Sequence, residues 1–594
     1  MDSGYWSSIL RERQLTRRRL LKGAGGVAAG GMALSLIGCG GGDDDGVAGD
    51  ASGLLNKVSD TTKQAKVGGT WVSSYDEDVI NMDPILNNAS PTFPQLVPVY
   101  SQLLKAGIST TKTPGAGDIL GDVAESWEFN ADGTQITFKL RQNMKWDSRP
   151  PTSGRAITSA DVKWSWDKFA TVGNSAAELV NSRNPDAAIS SIETPDARTV
   201  VFKMAFPYPN VVDQLSNQQT FYVMPADDSF NFRTDMRGSG PYILEQFRPS
   251  SNANYIRNPD WYDSPRPYYE RLERTLIPEY ASGLAQFKAQ NIYDYAVRQE
   301  DVISTKQSHP EMVMLRELQL DTSLGGFMNF SKREDSLFKD VRLRRAASMM
   351  LDRDLLVETF QNVKQFRDVG LPVEIFWTSF LGPGLPEWLD PKGTALGEGA
   401  KFYQHNPEEA RKLVQAAGVT MPYEAPFAHY IDQVPEDQPR FQVLIGMMSE
   451  GGIFNITSEQ LLYNTSWRSA RQSGGLEHTG MLWHRTAGLS ADVILTQMWT
   501  PKGRNSQDSR GPTPGITDLV LKQKTELDPA KRTGIVHDIQ KQLSMDWPVI
   551  PWAGTAPGFT LHWPWLNNHH VFIQGNASAK SFVYAWNDES KRKA

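Results

Sequence analysis

The chain holds one cysteine in 594 residues. That excludes an internal disulfide, a CxxC redox pair and a zinc site built from thiolates. Histidine is scarce as well: there are nine, none at metal-ligand spacing, and the adjacent His569 and His570 cannot both face one metal from a regular strand. HExxH, GxSxG and a phosphate loop are all missing, so no catalytic constellation is visible and neither cofactor nor metal is expected. Positive charge is in deficit. The formal net charge is −7, and because residues 1–38 carry six basic groups and two acidic ones, the remainder stands at −11. Such a surface repels phosphate backbones, which excludes nucleic acid as a partner.

With 39% hydrophobic and 22% charged residues, this is the composition of an ordinary globular protein. A length of 594 residues is too great for one hydrophobic core and implies at least two lobes. Tryptophan is abundant, at 17; most of these rings belong to the core, and a handful are expected to offer flat contact area to a ligand.

The N-terminus reads as an address. Thr16-Arg17-Arg18-Arg19-Leu20-Leu21-Lys22 fits the twin-arginine export pattern, and the Gly- and Ala-rich run Gly23–Gly38 is too short and too small-residued to span a membrane. It ends at Leu36-Ile37-Gly38-Cys39, which resembles the lipobox of bacterial lipoproteins; there the cysteine receives a lipid and begins the mature chain. Residues 39–66, polar and without period, are expected to form a flexible tether.

Asp122–Phe169 is the most legible stretch. Trp127 and Phe129 alternate with polar neighbours before Asp132-Gly133, and Ile136, Phe138 and Leu140 alternate after it, predicting two half-buried strands around a turn. Thr158, with Asp161 three residues on, predicts a capped helix with Val162, Trp166 and Phe169 on one face. In order, VAESW, Asp-Gly, ITFKLR, NMKW and TSADV resemble the signature of the family-5 extracellular solute-binding proteins of ABC importers. Further landmarks follow in the family's order: Asn81-Met82-Asp83-Pro84, Pro207-Tyr208-Pro209, Gly238-Ser239-Gly240-Pro241-Tyr242, Asn258-Pro259-Asp260-Trp261-Tyr262, Phe338–Ala346, Asn406-Pro407-Glu408-Glu409 and Pro548-Val549-Ile550-Pro551. Gly238 and Gly240 would permit a positive-φ entry into a strand. Asp340 and Asn406 are placed to cap helices. Arg342, Arg344 and Arg345 are read either as an anion site or, more ordinarily, as solvated or salt-bridged helix arginines.

The resemblance implies a mixed α/β, two-lobed binding-protein fold with the ligand cleft between the lobes. It divides the chain into a first lobe over 67–277 with an extra subdomain over about 96–222, a second lobe over 278–548, and a return to the first lobe over 549–594. It further implies a non-enzymatic, monomeric protein that closes on a small solute by hinge motion and hands it to a permease and an ATPase, on the outer side of the cytoplasmic membrane. A ligand-presenting subunit of a sensor would use the same fold.

By position, the loop Asn87–Ser90 (Asn88, Ala89 and Ser90 in particular) corresponds to the cleft floor of relatives. Their Trp-x-x-Asp-Tyr stretch corresponds to Trp483-His484-Arg485-Thr486, with Tyr463 a second aromatic wall 20 residues upstream. Here the carboxylate that pairs with a peptide's amino group is replaced by Thr486, preceded by Arg485. A buried ammonium then lacks its partner unless Asp492 substitutes. A peptide remains the leading solute class, and an oligosaccharide or an acid paired to Arg485 the alternative.

Overall fold

The computed structural model describes residues 47–592 apart from Ile80 and residues 88–91, 112–117, 433–436, 473–477, 485–489, 502, 504, 507–514 and 575–579. The export and lipidation motifs, Cys39, Asn88, Ala89, Ser90, Arg485 and Thr486 lie outside the described residues.

Two hydrophobic cores divide the chain. The first is built on Thr70–Tyr75, parallel to Arg271–Leu276, which continues antiparallel through Asn252–Arg257 to Tyr242–Arg248. Single bridges from Ser73 to Asp294 and from Asp294 to His562 join these strands to the antiparallel pair Val313–Arg316 and Phe559–His562. A second four-stranded antiparallel sheet, in the order Ala124–Phe129, Gln135–Leu140, Thr199–Met204 and Ile189–Asp196, forms the extra subdomain with the helix Ser159–Val172. Its hairpin turns at Gly133, φ +69°. Ile136, Phe138 and Leu140 point inward as their alternation requires, whereas Ala124–Phe129 is an edge strand on which Phe129 stays exposed. The Thr158–Asp161 capping box forms, and Val162, Trp166 and Phe169 are buried.

The second core surrounds a five-stranded mixed sheet in the order Phe454–Leu461, Tyr423–Tyr430, Gly480–His484, Gly326–Phe330 and Ile550–Pro551. Asp340 accepts from the Arg342 amide at 2.8 Å, and Asn406 from the Glu409 amide at 3.1 Å, so both helices start where their caps were read. The three arginines hold no anion site. Arg342 pairs with Asp340, while Arg344 and Arg345 donate to the Asp546, Trp547 and Met545 carbonyls at the end of the helix Pro529–Asp546, where the helix dipole favours cations.

Core membership moves the expected boundaries. Phe287, Ile292, Val302, Met312 and Met314 belong to the first core, so the first lobe runs on past 277 to Arg316; Val549, Ile550 and Trp552 stay in the second core, and the first resumes at Phe559. The crossovers between the cores are therefore 317–323 and 557–558, and they meet: the Glu317 amide donates to the Gly558 carbonyl at 2.9 Å, while just inside the second core the Trp552 amide donates to the Gly326 carbonyl at 3.0 Å. The expected tether is also shorter. Leu55 is buried in the first core, the Asn56 amide donates to the Met314 carbonyl at 2.8 Å, and Thr61 donates to Asn568 at 2.8 Å. A polar segment without period can still be fixed by partners far along the chain.

Gly238 and Gly240 serve a purpose other than positive φ. The chain passes directly over the carbonyls of Pro98 and Val99, and a Cβ on Gly238 would stand 1.9 Å from the Val99 oxygen. Gly238→Ala is expected to cost about 1–3 kcal/mol through this forced shift, measured by urea unfolding; a change under about 0.3 kcal/mol would show that the loop yields freely.

Candidate functional site

The strand Gly480–His484 lies between Gly326–Phe330 and Tyr423–Tyr430, and its register sets Trp483 opposite Phe327. Because Phe327 lies four residues past the first crossover, Trp483 stands where the chain enters the second lobe. The two rings stack at 5.9 Å and 19°. Trp483 also meets the edge of Trp467 at 4.9 Å, and Trp467 stacks on Tyr463 at 5.4 Å and 18°. Tyr463–Trp467 is a single π-helical turn, a geometry frequent at functional sites, which brings residues four apart face to face. The result is a continuous ladder, Tyr463, Trp467, Trp483, Phe327, beginning at the hinge. Trp467 and Phe327 are fully buried and hold the ladder rigid, whereas Trp483 and Tyr463 are half-buried. Trp467 was missed in the sequence; its signal is the four-residue spacing from Tyr463.

Asp492 sits in the first turn of the helix Ala491–Trp499, capped by Ser490. Both its oxygens are engaged within the protein: Tyr208 Oη of the first lobe donates at 2.6 Å and Gln523 Nε2 at 2.6 Å. At 4% exposure it is an interlobe tie, which corrects its reading as a replacement for the missing amine anchor. Burial, and then the Asp492 charge, push the Tyr208 hydroxyl well above its usual pKa, so it stays a donor. Lys524 Nζ donates to the Asp186 carbonyl at 2.6 Å in the same interface, and Gln497 to Glu178 at 3.3 Å.

The first lobe contains a cavity of about 460 Å³ over its central sheet, reaching the crossover at Glu317, with Trp71, Leu272, Arg274, His569 and Phe582 in its walls. None of the site residues read from the sequence lines it. His569 and His570 do converge, contrary to the expectation drawn from a regular strand. The chain turns through positive φ at Asn568 and His570, and His570 Nε2 at 3.0 Å and His569 Nδ1 at 3.5 Å both face the Asp294 carboxylate. Burial alone would raise the Asp294 pKa, but the two imidazoles hold it well below the usual range; burial lowers His569, whereas Asp294 outweighs burial at His570 and raises it. Among the described residues no three His, Cys, Asp or Glu side chains form a metal-holding group, and no helix is long and apolar enough to cross a membrane.

Known proteins share this architecture. The di/tripeptide-binding protein 2 of Pseudomonas aeruginosa is 24% identical over 466 residues, covering 74% of this chain and 82% of its own length. A periplasmic binding protein of Helicobacter pylori solved with the peptide STSA superposes with a TM-score of 0.66 at 16% identity, over 88% of this chain and 99% of its own. One from A. tumefaciens R10 in complex with mannopinic acid gives 0.65 at 18%, over 88% and 100%. The family described as bacterial extracellular solute-binding proteins, family 5 (middle region), matches residues 118–506, more than half of the chain. With two cores joined by two crossovers and an aromatic ladder at the hinge, this chain belongs to the bacterial extracellular solute-binding proteins of family 5, the non-enzymatic substrate-binding components of ABC transporters.

Proposed function

We propose that this protein captures a peptide-like solute between its lobes and delivers it to an ABC permease, held at the outer face of the cytoplasmic membrane by a lipid on Cys39 after twin-arginine export. The observation that carries the solute site is the ladder near the hinge: two half-buried rings backed by two buried ones offer rigid flat area close to where the chain enters the second lobe. Such a ligand favours the closed form because only there does it touch both lobes. Relatives named for di- and tripeptides support the peptide class. The relative solved with mannopinic acid, together with Thr486 in place of the amine-pairing carboxylate, supports the acid as second reading.

Native mass spectrometry of the full chain carrying Cys39→Ser, purified without denaturation, separates them. A ladder of peptide masses lost on unfolding supports the first reading; a single acid or sugar mass supports the second and overturns the first. Trp483→Ala is expected to weaken the captured solute about tenfold, the loss of one stacked ring face. Unchanged affinity by calorimetry would remove the ladder from the site.

A further inference from the structure

We propose that the first lobe carries a solute site of its own, the cavity over its central sheet, and that it takes a small apolar carboxylate, with the acid on Arg274 and the hydrocarbon against Trp71, Leu272 and Phe582. The register sets Trp71 beside Leu272 and Ser73 beside Arg274, so alternate residues of two parallel strands put an indole, an isobutyl group and a guanidinium on one face. Phe93 and Phe582 also line the cavity. At about 460 Å³ the space falls within the range of small-molecule pockets.

The charges select the ligand. Asp294 is already matched by His569 and His570, and Glu317 is exposed at the crossover end. Arg274 differs: Nη1 donates to the Pro94 carbonyl at 2.5 Å and to Gln95 Oε1 at 3.3 Å, both neutral, and among the described residues no carboxylate pairs with it. Nε and Nη2 keep their donors. A half-buried guanidinium whose hydrogen bonds go only to neutral oxygens, with the Asp294 charge acting on it without direct contact, gains from an arriving carboxylate, which two parallel hydrogen bonds would seat.

Hydrocinnamate, its neutral amide hydrocinnamamide and phenylpropylamine test this by calorimetry on the Cys39→Ser full chain. The acid is expected to bind one equivalent, more tightly than the amide or amine, and equally well in Trp483→Ala. Arg274→Gln should weaken it about tenfold to a hundredfold, the loss of a charge-assisted hydrogen bond. Ser581→Phe, which fills the cavity from a half-exposed wall position, should abolish it. Thermal melting shows whether either variant is folded; if one is not, the three-probe series and Trp483→Ala still decide. No binding of the acid, equal binding of the amide, or loss of binding in Trp483→Ala overturns the proposal. Failure to capture a peptide at the ladder would overturn the peptide reading and leave this result untouched.

Discussion

Asp122→Ala is expected to cost about 3–5 kcal/mol of stability, the usual cost of stripping one partner from a buried ion pair. The side chains of Asp122 and Lys580 are 1% and 3% exposed, and their charged atoms stand 2.9 Å apart. The carboxylate is otherwise satisfied by the Gln102 amide at 3.0 Å and Tyr262 Oη at 3.0 Å, and the ammonium reaches Ser101 Oγ at 3.2 Å. The pair ties the opening of the extra subdomain to the last segment of the chain, 458 residues away. Alanine leaves an ammonium buried without its counter-ion, so Asp122→Leu combined with Lys580→Met should recover most of the loss. The pH dependence follows from the direction of the shift. Burial alone would raise the Asp122 pKa, but Lys580 and Lys105 hold it below 3.8. A depressed folded-state value means that the stabilisation is complete above the unfolded value, near 3.9, and is lost as pH falls through the folded one. Urea midpoints of the wild type and Asp122→Ala should therefore draw together in acid. A cost under about 1 kcal/mol at neutral pH would show that water reaches the pair.

What could be read in advance was local. Thr158, Asp340 and Asn406 cap helices within three residues of themselves, and Asp132-Gly133 turns a hairpin between adjacent strands; such signals need no knowledge of distant chain. What could not be read depends on residues far away. Gly238 is required by the carbonyl of Val99, Arg344 and Arg345 by a helix end some 200 residues on, and the segment around Thr61 by Asn568. The candidate site divides the same way. Trp483 and Tyr463 are singled out by their place in a family pattern, while Trp467, which joins them in the ladder, shows in the sequence only as an aromatic four residues after Tyr463 and is placed by a π-helical turn. Asp492 shows the limit most clearly, since a carboxylate near a suspected pocket is indistinguishable in sequence from one spent on an opposing lobe.

That tie should govern how readily the lobes close without ligand. Removing Asp492 leaves the Tyr208 hydroxyl and the Gln523 amide buried without acceptors, at about 1–3 kcal/mol each in the closed form. An open form returns them to water. Asp492→Ala is accordingly expected to shift the unliganded equilibrium toward open by about 2–4 kcal/mol, roughly 30- to 1,000-fold, with Tyr208→Phe acting in the same direction by less. Small-angle scattering of the unliganded protein should show a larger radius of gyration for both variants, and solute affinity should fall although neither residue belongs to the aromatic ladder. Asp213 adds a dependence on pH. It faces Glu387, Arg532 and Asp492 across the interface; burial first, and then the charge of Glu387, raise its pKa to about 7 against the opposing pull of Arg532. A carboxylate raised in the closed form is protonated there and ionised when exposed, so closure is fully favoured in acid and weakens as pH rises through about 7. The unliganded protein should therefore be more compact at pH ~5.5 than at ~7.5, where the group has largely ionised, and Asp213→Asn should abolish the difference. If the wild type, Asp492→Ala and Tyr208→Phe all scatter alike at both pH values, the interface exerts no control over closure and the ligand alone supplies it.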